Sequence, residues 1–97
     1  MNIRILDSAK LDLINGFNFY ETQEVGLGDY FLDSLYSDID SLIIYAGIHA
    51  RKFGDYHYLF SKRFPFAIYY KLKEETVDIH AVLDCRQNPK IISERFE

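Results

Sequence analysis

The sequence predicts an α+β fold in which a helix hairpin lies on one face of a mostly antiparallel sheet. Three observations carry this. Phe64, Phe66, Ile68, Tyr70 and Leu72 alternate with Pro65, Ala67, Tyr69, Lys71 and Lys73, and after Lys73-Glu74-Glu75-Thr76 the residues Val77, Ile79, Ala81 and Leu83 alternate again. Period-two patterning in aromatic and β-branched residues on both sides of a short charged break is the pattern of a β-hairpin. Upstream, apolar residues between Leu11 and Ala46 recur at helical spacing on either side of Gly26-Leu27-Gly28. Strands that follow one another through tight turns pair antiparallel, and helices gathered before them are free to cover one face.

The elements follow in order. Asn2–Leu6 alternates Ile3 and Ile5 with Arg4 and Leu6 and reads as a strand. Asp7 and Ser8 are residues that cap helices, their side-chain oxygens accepting free N–H groups. Leu11, Ile14, Phe17 and Tyr20, widened by Leu13, predict a first helix running to about Glu24, with Gly16 as its weak point. The Gly26–Gly28 turn returns the chain antiparallel. Phe31, Leu35, Ile39, Leu42, Ile43 and Ala46 form the apolar stripe of a second helix, which Gly47 stops, with Asp29 in its first turn. Residues 49–53 and 56–61 flank Gly54-Asp55 as a short hairpin. Pro65 lacks an N–H and belongs at a strand start, an edge or a bulge. Asn88-Pro89 ends the last strand, and residues 90–96 predict a short terminal helix. Residues 1–97 thus read as one domain, the length suiting a single core.

Composition narrows the function. Eight Tyr and eight Phe supply large burial for a short chain. The single cysteine, Cys85, permits no internal disulfide. No apolar run approaches membrane-spanning length, and Arg4, Asp7 and Lys10 interrupt any leader-like core, so a cytoplasmic protein is expected. The net charge of −4 opposes nucleic-acid binding, but the charge is uneven: residues 1–48 balance to −6 and residues 49–97 to +2. No spacing of metal ligands, phosphate loop or nucleophile elbow occurs, so neither a metal nor another cofactor is expected.

The order of elements, Gly26-Leu27-Gly28 followed by Phe31, the run Arg63-Phe64-Pro65-Phe66-Ala67-Ile68-Tyr69-Tyr70 and the ending Ala81-Val82-Leu83-Asp84-Cys85-Arg86-Gln87-Asn88-Pro89 resemble the RelE/ParE superfamily of toxins from type II toxin–antitoxin systems. The resemblance spans Ile3 to Arg95. It implies a bacterial, cytoplasmic toxin, with the ParE-like plasmid-stabilisation branch favoured, held inactive in a hetero-oligomer by a cognate antitoxin that wraps the helix hairpin and sheet. Two activities occur in the superfamily. ParE-like members poison DNA gyrase by binding it, whereas RelE-like members cut messenger RNA in the ribosome.

Metal-free RNA cleavage needs a base for the ribose 2′-OH, cations for the developing phosphorane charge and an acid for the leaving oxygen. The candidate catalytic residues are Arg86, which matches the RelE-type cation after the last strand, Arg63 and Lys62, which add charge, and His57 as base. Departures stand against them: Ala67 lies where RelE-type nucleases carry an arginine, Gln87 where a second arginine often follows, and about Ile92 where an aromatic is expected. The reading preferred from the sequence is therefore a toxin that acts by binding gyrase or another target. An mRNA endonuclease is the alternative, and a non-toxic nucleic-acid-binding module or degenerate toxin the third. Tyr69 is expected on the open face of the sheet, available to stack on a base or an antitoxin side chain. Arg86 also reads as an ion-pair partner of Asp84 or Glu94 across a turn, and beside it Cys85 reads either as an activated thiol or, with no base pattern around it, as an inert one.

Overall fold

A computed structural model describes residues 1–97. Its elements are β1 (Asn2–Ile5), α1 (Asp7–Glu21), α2 (Leu27–Asp40), α3 (Leu42–Tyr45), β2 (Arg51–Lys52), β3 (Tyr56–Phe60), β4 (Phe66–Lys73), β5 (Thr76–Asp84) and α4 (Pro89–Glu94). The five strands form one sheet in the order β1-β5-β4-β3-β2. β1 pairs parallel to β5, with Ile3 opposite Val77 and Ile5 opposite Ile79, and every other pairing is antiparallel. The fold is α+β, mixed but mostly antiparallel, as the patterning predicts.

The core lies between the sheet and the helix hairpin. Phe66, Ile68 and Tyr70 of β4 and Val77, Ile79 and Val82 of β5 meet Leu13, Tyr20, Phe31, Leu35 and Ile39 there. Along β5 the expected face holds only halfway. Tyr69 pairs with Ala81 but Tyr70 pairs with Ile79, so His80 is the extra residue of a bulge. One added residue exchanges the two faces. Ala81 and Leu83 therefore join Ala67 and Tyr69 in a second, smaller cluster on the outer face, and Val82 takes their place toward the helices.

The helices depart from expectation in their rotation and ends. Ala9, Leu13, Gly16 and Tyr20 form the buried line of α1, whereas Leu11 and Ile14 are 57% and 55% exposed. Gly16 causes the rotation: a Cβ there would fall 2.6 Å from Cε2 of Phe31, so the missing side chain admits that ring. Gly28 admits Phe17 in the same way. Contacts 16–31 and 17–28 run in opposite senses along the two helices, as in an antiparallel pair. Neither Asp7 nor Ser8 caps α1; Leu6 stands at the N-cap, and Ser8 Oγ donates to the carbonyl of His80 instead. α1 ends at Glu21, although Glu24 N still donates to the Tyr20 carbonyl at 3.2 Å in the turn that follows, and the Glu21 carboxylate accepts the N–H groups of Gly26 and Gly28 at 2.9–3.1 Å. It thereby satisfies free donors at the start of α2. The second helical stretch is not continuous: Ser41, whose hydroxyl donates to the Asp38 carbonyl at 2.6 Å, separates α2 from the one-turn α3. Ile43, placed in the predicted stripe, is 53% exposed.

At the far edge the hairpin is shorter than residues 49–53 suggest. Only Arg51 and Lys52 pair, with His57 and Tyr56, and Phe53 and Gly54 both take positive φ in the turn. Pro65 immediately precedes β4, with its carbonyl accepting from Cys85 N at 2.8 Å. α4 begins at Pro89, one residue earlier than predicted, with the Asn88 side chain accepting the Lys90 N–H at 2.9 Å. Pro at the first helical position needs no donor, and Asn before it supplies a cap.

Candidate functional site

Arg86 follows β5 by two residues, and the strand's last residue holds it. The Asp84 carboxylate accepts from the Arg86 backbone N–H at 2.8 Å, from Nε at 3.0 Å and from Nη2 at 2.7 Å. This two-point pairing uses the matching fork geometry of guanidinium and carboxylate. It drives the Arg86 pKa further up and holds Asp84 below the usual carboxylate range. The Tyr20 hydroxyl lies beside Arg86; burial raises that phenol, and the neighbouring guanidinium opposes the rise.

Lys62 and Arg63 sit in the loop between β3 and β4, at the same end of the sheet as Arg86, since Phe66 pairs with Asp84. Asp38 of α2 organises this loop: buried at 5% exposure, it accepts from Ser61 Oγ at 2.7 Å and from the Lys62 N–H at 3.4 Å. The Arg63 guanidinium lies 5.8 Å from the centre of the Tyr30 ring. Both basic residues line a polar cleft of about 340 Å³ with Asp33, Asp38 and Ser34. Ser34 Oγ is buried there without a hydrogen-bond partner.

The structure does not bring His57 to these cations. It stands on β3 opposite Tyr70, four residues along β4 from Phe66. At about 3.3 Å per residue the separation along the strand is roughly 13 Å. The imidazole is 6% exposed, stacks on the Tyr70 ring at 5.0 Å and 16°, and donates from Nδ1 to the His49 carbonyl at 2.8 Å. His49 in turn contacts the Tyr70 hydroxyl through its own Nδ1, and Gly47 N donates to that hydroxyl at 3.0 Å. The two histidines and the tyrosine thus form one packed polar unit on the helix side of the sheet.

On the outer face, Tyr69 is not free to stack on a ligand. It is 4% exposed, covered by Phe96 at 4.8 Å between ring centres and flanked by Phe53 at 6.0 Å. Phe96 also stacks on Phe53 at 4.8 Å and 9° and packs on Tyr56 at 4.7 Å. The cause is the C-terminal segment, which folds back over the outer face. Arg95 locks it down, donating to both Asp12 oxygens at 3.0 and 2.7 Å and to the Ser8 carbonyl at 3.3 Å. Asp12 also accepts the Val82 N–H at 3.0 Å. Ala67 is buried in the same layer, at 1% exposure.

Cys85 is an exposed residue, but its thiol is not activated: partial desolvation, then the Asp84 carboxylate, raises its pKa. No group of three His, Cys, Asp or Glu side chains is placed to hold a metal. No helix is long and apolar enough to cross a membrane. Sequence reasoning missed the organising acids Asp12, Asp38 and Glu21. Only Glu21 left a signal, a carboxylate shortly before a glycine-rich turn that opens a helix. Asp12 and Asp38 find partners 70 and 24 residues away, which no local pattern announces.

No family model matches the sequence, and no curated protein matches it significantly. A solved structure described as the chromosomal ParDE TA system from P. aeruginosa contains a chain that superposes with a TM-score of 0.71. The match covers 84% of this chain and 92% of that one at 17% sequence identity. At that identity the likeness speaks for the fold, and the α+β arrangement of this chain is shared with a chain of that ParDE system.

Proposed function

We propose that the chain is the toxin of a type II toxin–antitoxin pair, neutralised in a hetero-oligomer by a cognate antitoxin and acting by binding its target, with DNA gyrase the first candidate. The observation that carries this is the shared fold over most of both chains. The disposition of the basic residues favours binding over catalysis. Arg86 is engaged at two points by Asp84, His57 is stacked inside the sheet–helix layer, and Ala67 and Tyr69 are covered. The antitoxin has a suitable surface between α1 and α2, an apolar groove of about 350 Å³ lined by Ile14, Phe17, Leu32 and Tyr36 with Lys10 beside them. Such a groove takes the apolar face of an amphipathic helix. A cytoplasmic, plasmid- or chromosome-borne bacterial system belongs to the same proposal.

Induced expression of the chain alone is expected to arrest growth, and co-expression of the adjacent short reading frame to restore it. Purified protein is expected to inhibit supercoiling by gyrase in vitro. Undiminished growth at high levels of folded protein would remove the toxin reading. Unaffected gyrase with retained toxicity would remove the target. A second reading, the ribosome-dependent mRNA endonuclease, draws on the gathering of Arg86, Arg63 and Lys62 at one end of the sheet. It predicts cuts in messenger RNA by primer extension after induction, abolished by Arg86→Ala.

A further inference from the structure

The outer face of the sheet carries a cavity of about 620 Å³ between β3, β4 and α4. Its apolar lining includes Phe53, Tyr58, Tyr69 and Ile92, and its charged lining consists of Lys52 and Lys90. No carboxylate lines it, although the chain has 15 acidic against 11 basic side chains. The Lys52 ammonium stands 5.3 Å from the centre of the Phe53 ring and 5.9 Å from that of Tyr58, at the boundary between aromatic surface and solvent. The aromatic rings beneath are held by one another and by Phe96, so the cavity is built into packed structure.

We infer that this cavity binds a small amphipathic anion, an aromatic or short alkyl body carrying one carboxylate or sulfonate. The volume falls within the roughly 300–1,000 Å³ of small-molecule sites, which are mostly apolar with a few polar groups fixing orientation. The body of such a ligand buries against Phe53, Tyr58 and the exposed Phe60, where contact area supplies the binding energy, while Tyr69, covered by Phe96, contributes little contact. Its anionic group meets the two ammonium groups, a complementarity that selects against cations and gives neutral analogues no partner for Lys52 and Lys90. Cys85 also lines the cavity. As the chain's single cysteine, it is a reporter of occupancy. The inference stands independently of the toxin reading.

The test titrates the protein with 8-anilinonaphthalene-1-sulfonate, which has this chemistry, and follows dye fluorescence together with alkylation of Cys85 by neutral iodoacetamide at alkaline pH. Saturable binding at one site is expected, with alkylation slowing as the free fraction falls, in proportion to 1/(1 + [dye]/Kd). The exposed pair Lys52→Glu and Lys90→Glu together are expected to weaken binding by about tenfold or more, since the reversal replaces two attractive charges with two repulsive ones. Three results overturn the inference: no saturable binding, dye binding with Cys85 alkylation unchanged, or an affinity unmoved by the double charge reversal in protein whose circular dichroism and melting are unaltered. The second would place the dye elsewhere on the surface, and the third would make the contact simple apolar adhesion.

Discussion

Replacing Gly16 by alanine tests the reason for the rotation of α1. In an exposed helix interior this substitution stabilises, because alanine exceeds glycine in helix propensity by about 1 kcal/mol. At Gly16 the sign is expected to reverse. The added Cβ would meet three atoms of the Phe31 ring, Cε2 at 2.6 Å, Cε1 at 3.3 Å and Cζ closer still. That ring has no room to retreat: it is fully buried, with Tyr20, Phe64 and Phe66 around it at 5.2, 5.1 and 4.9 Å between centres. Overpacking of a closed core costs about 1–3 kcal/mol, and contacts this short belong at or above the upper end. Setting roughly 3 kcal/mol of strain against about 1 kcal/mol of propensity leaves a net loss of about 2 kcal/mol. In a domain of this size that lowers Tm by roughly 8–16 °C. Thermal melts of the wild type, Gly16→Ala, Phe31→Leu and the double variant form a cycle. Phe31→Leu destabilises on its own, but the smaller side chain is expected to absorb most of the alanine's penalty. A Gly16→Ala protein that melts at or above the wild-type temperature would refute the close approach and the helix rotation built on it.

Three further predictions concern the polar contacts. Asp12→Ala removes the partner of Arg95 and leaves the Val82 N–H unpaired, so it is expected to cost about 2–3 kcal/mol in urea unfolding, whereas Arg95→Ala, which leaves Asp12 bonded to Val82, is expected to cost about 1 kcal/mol. Tyr70→Phe strips the buried hydroxyl from Gly47 N and His49 Nδ1 and is expected to cost about 1–2 kcal/mol, read as a shift in urea midpoint with unchanged slope. His49 is pushed below the ordinary histidine pKa by burial and then by His57, and His80 by burial and then by Lys71. As pH falls through about 6.5 the unfolded chain therefore binds protons before the folded one, so stability is flat above that value and declines below it until the lowered folded-state values are reached. Urea midpoints across this window check the sign, and His49→Gln is expected to flatten part of the slope.

Much of the architecture was written in local patterns. Period-two alternation marks β4 and the first half of β5 because a pleated strand with one buried face must alternate. The glycine turn and the stripe through Phe31, Leu35 and Ile39 mark the helix hairpin, and Asn88-Pro89 marks the start of α4, because capping chemistry acts within a few residues. The basic residues at the end of the sheet were legible as residues, and for Arg86 so was a pairing with Asp84 or Glu94 across a turn, but not which of the two it takes. Arg86 is bound to Asp84 two positions earlier, a pairing that needs the turn after β5 to close.

What the tertiary structure decided was orientation and cover. The bulge at His80 turns Ala81 and Leu83 to the outer face, since the hydrophobic pattern of β5 alone suits either register until β4 pairs with it. Gly16 reads in sequence as a helix defect and in space as the socket for Phe31. Tyr69 reads as an outward ring and is buried, because Arg95 and Phe96 bring the C-terminal segment across the sheet to Asp12 and to Phe53, Tyr56 and Tyr69. Each of these depends on partners far apart along the chain, and periodicity reports only which face a residue shares with its neighbours, not what the rest of the chain lays against that face.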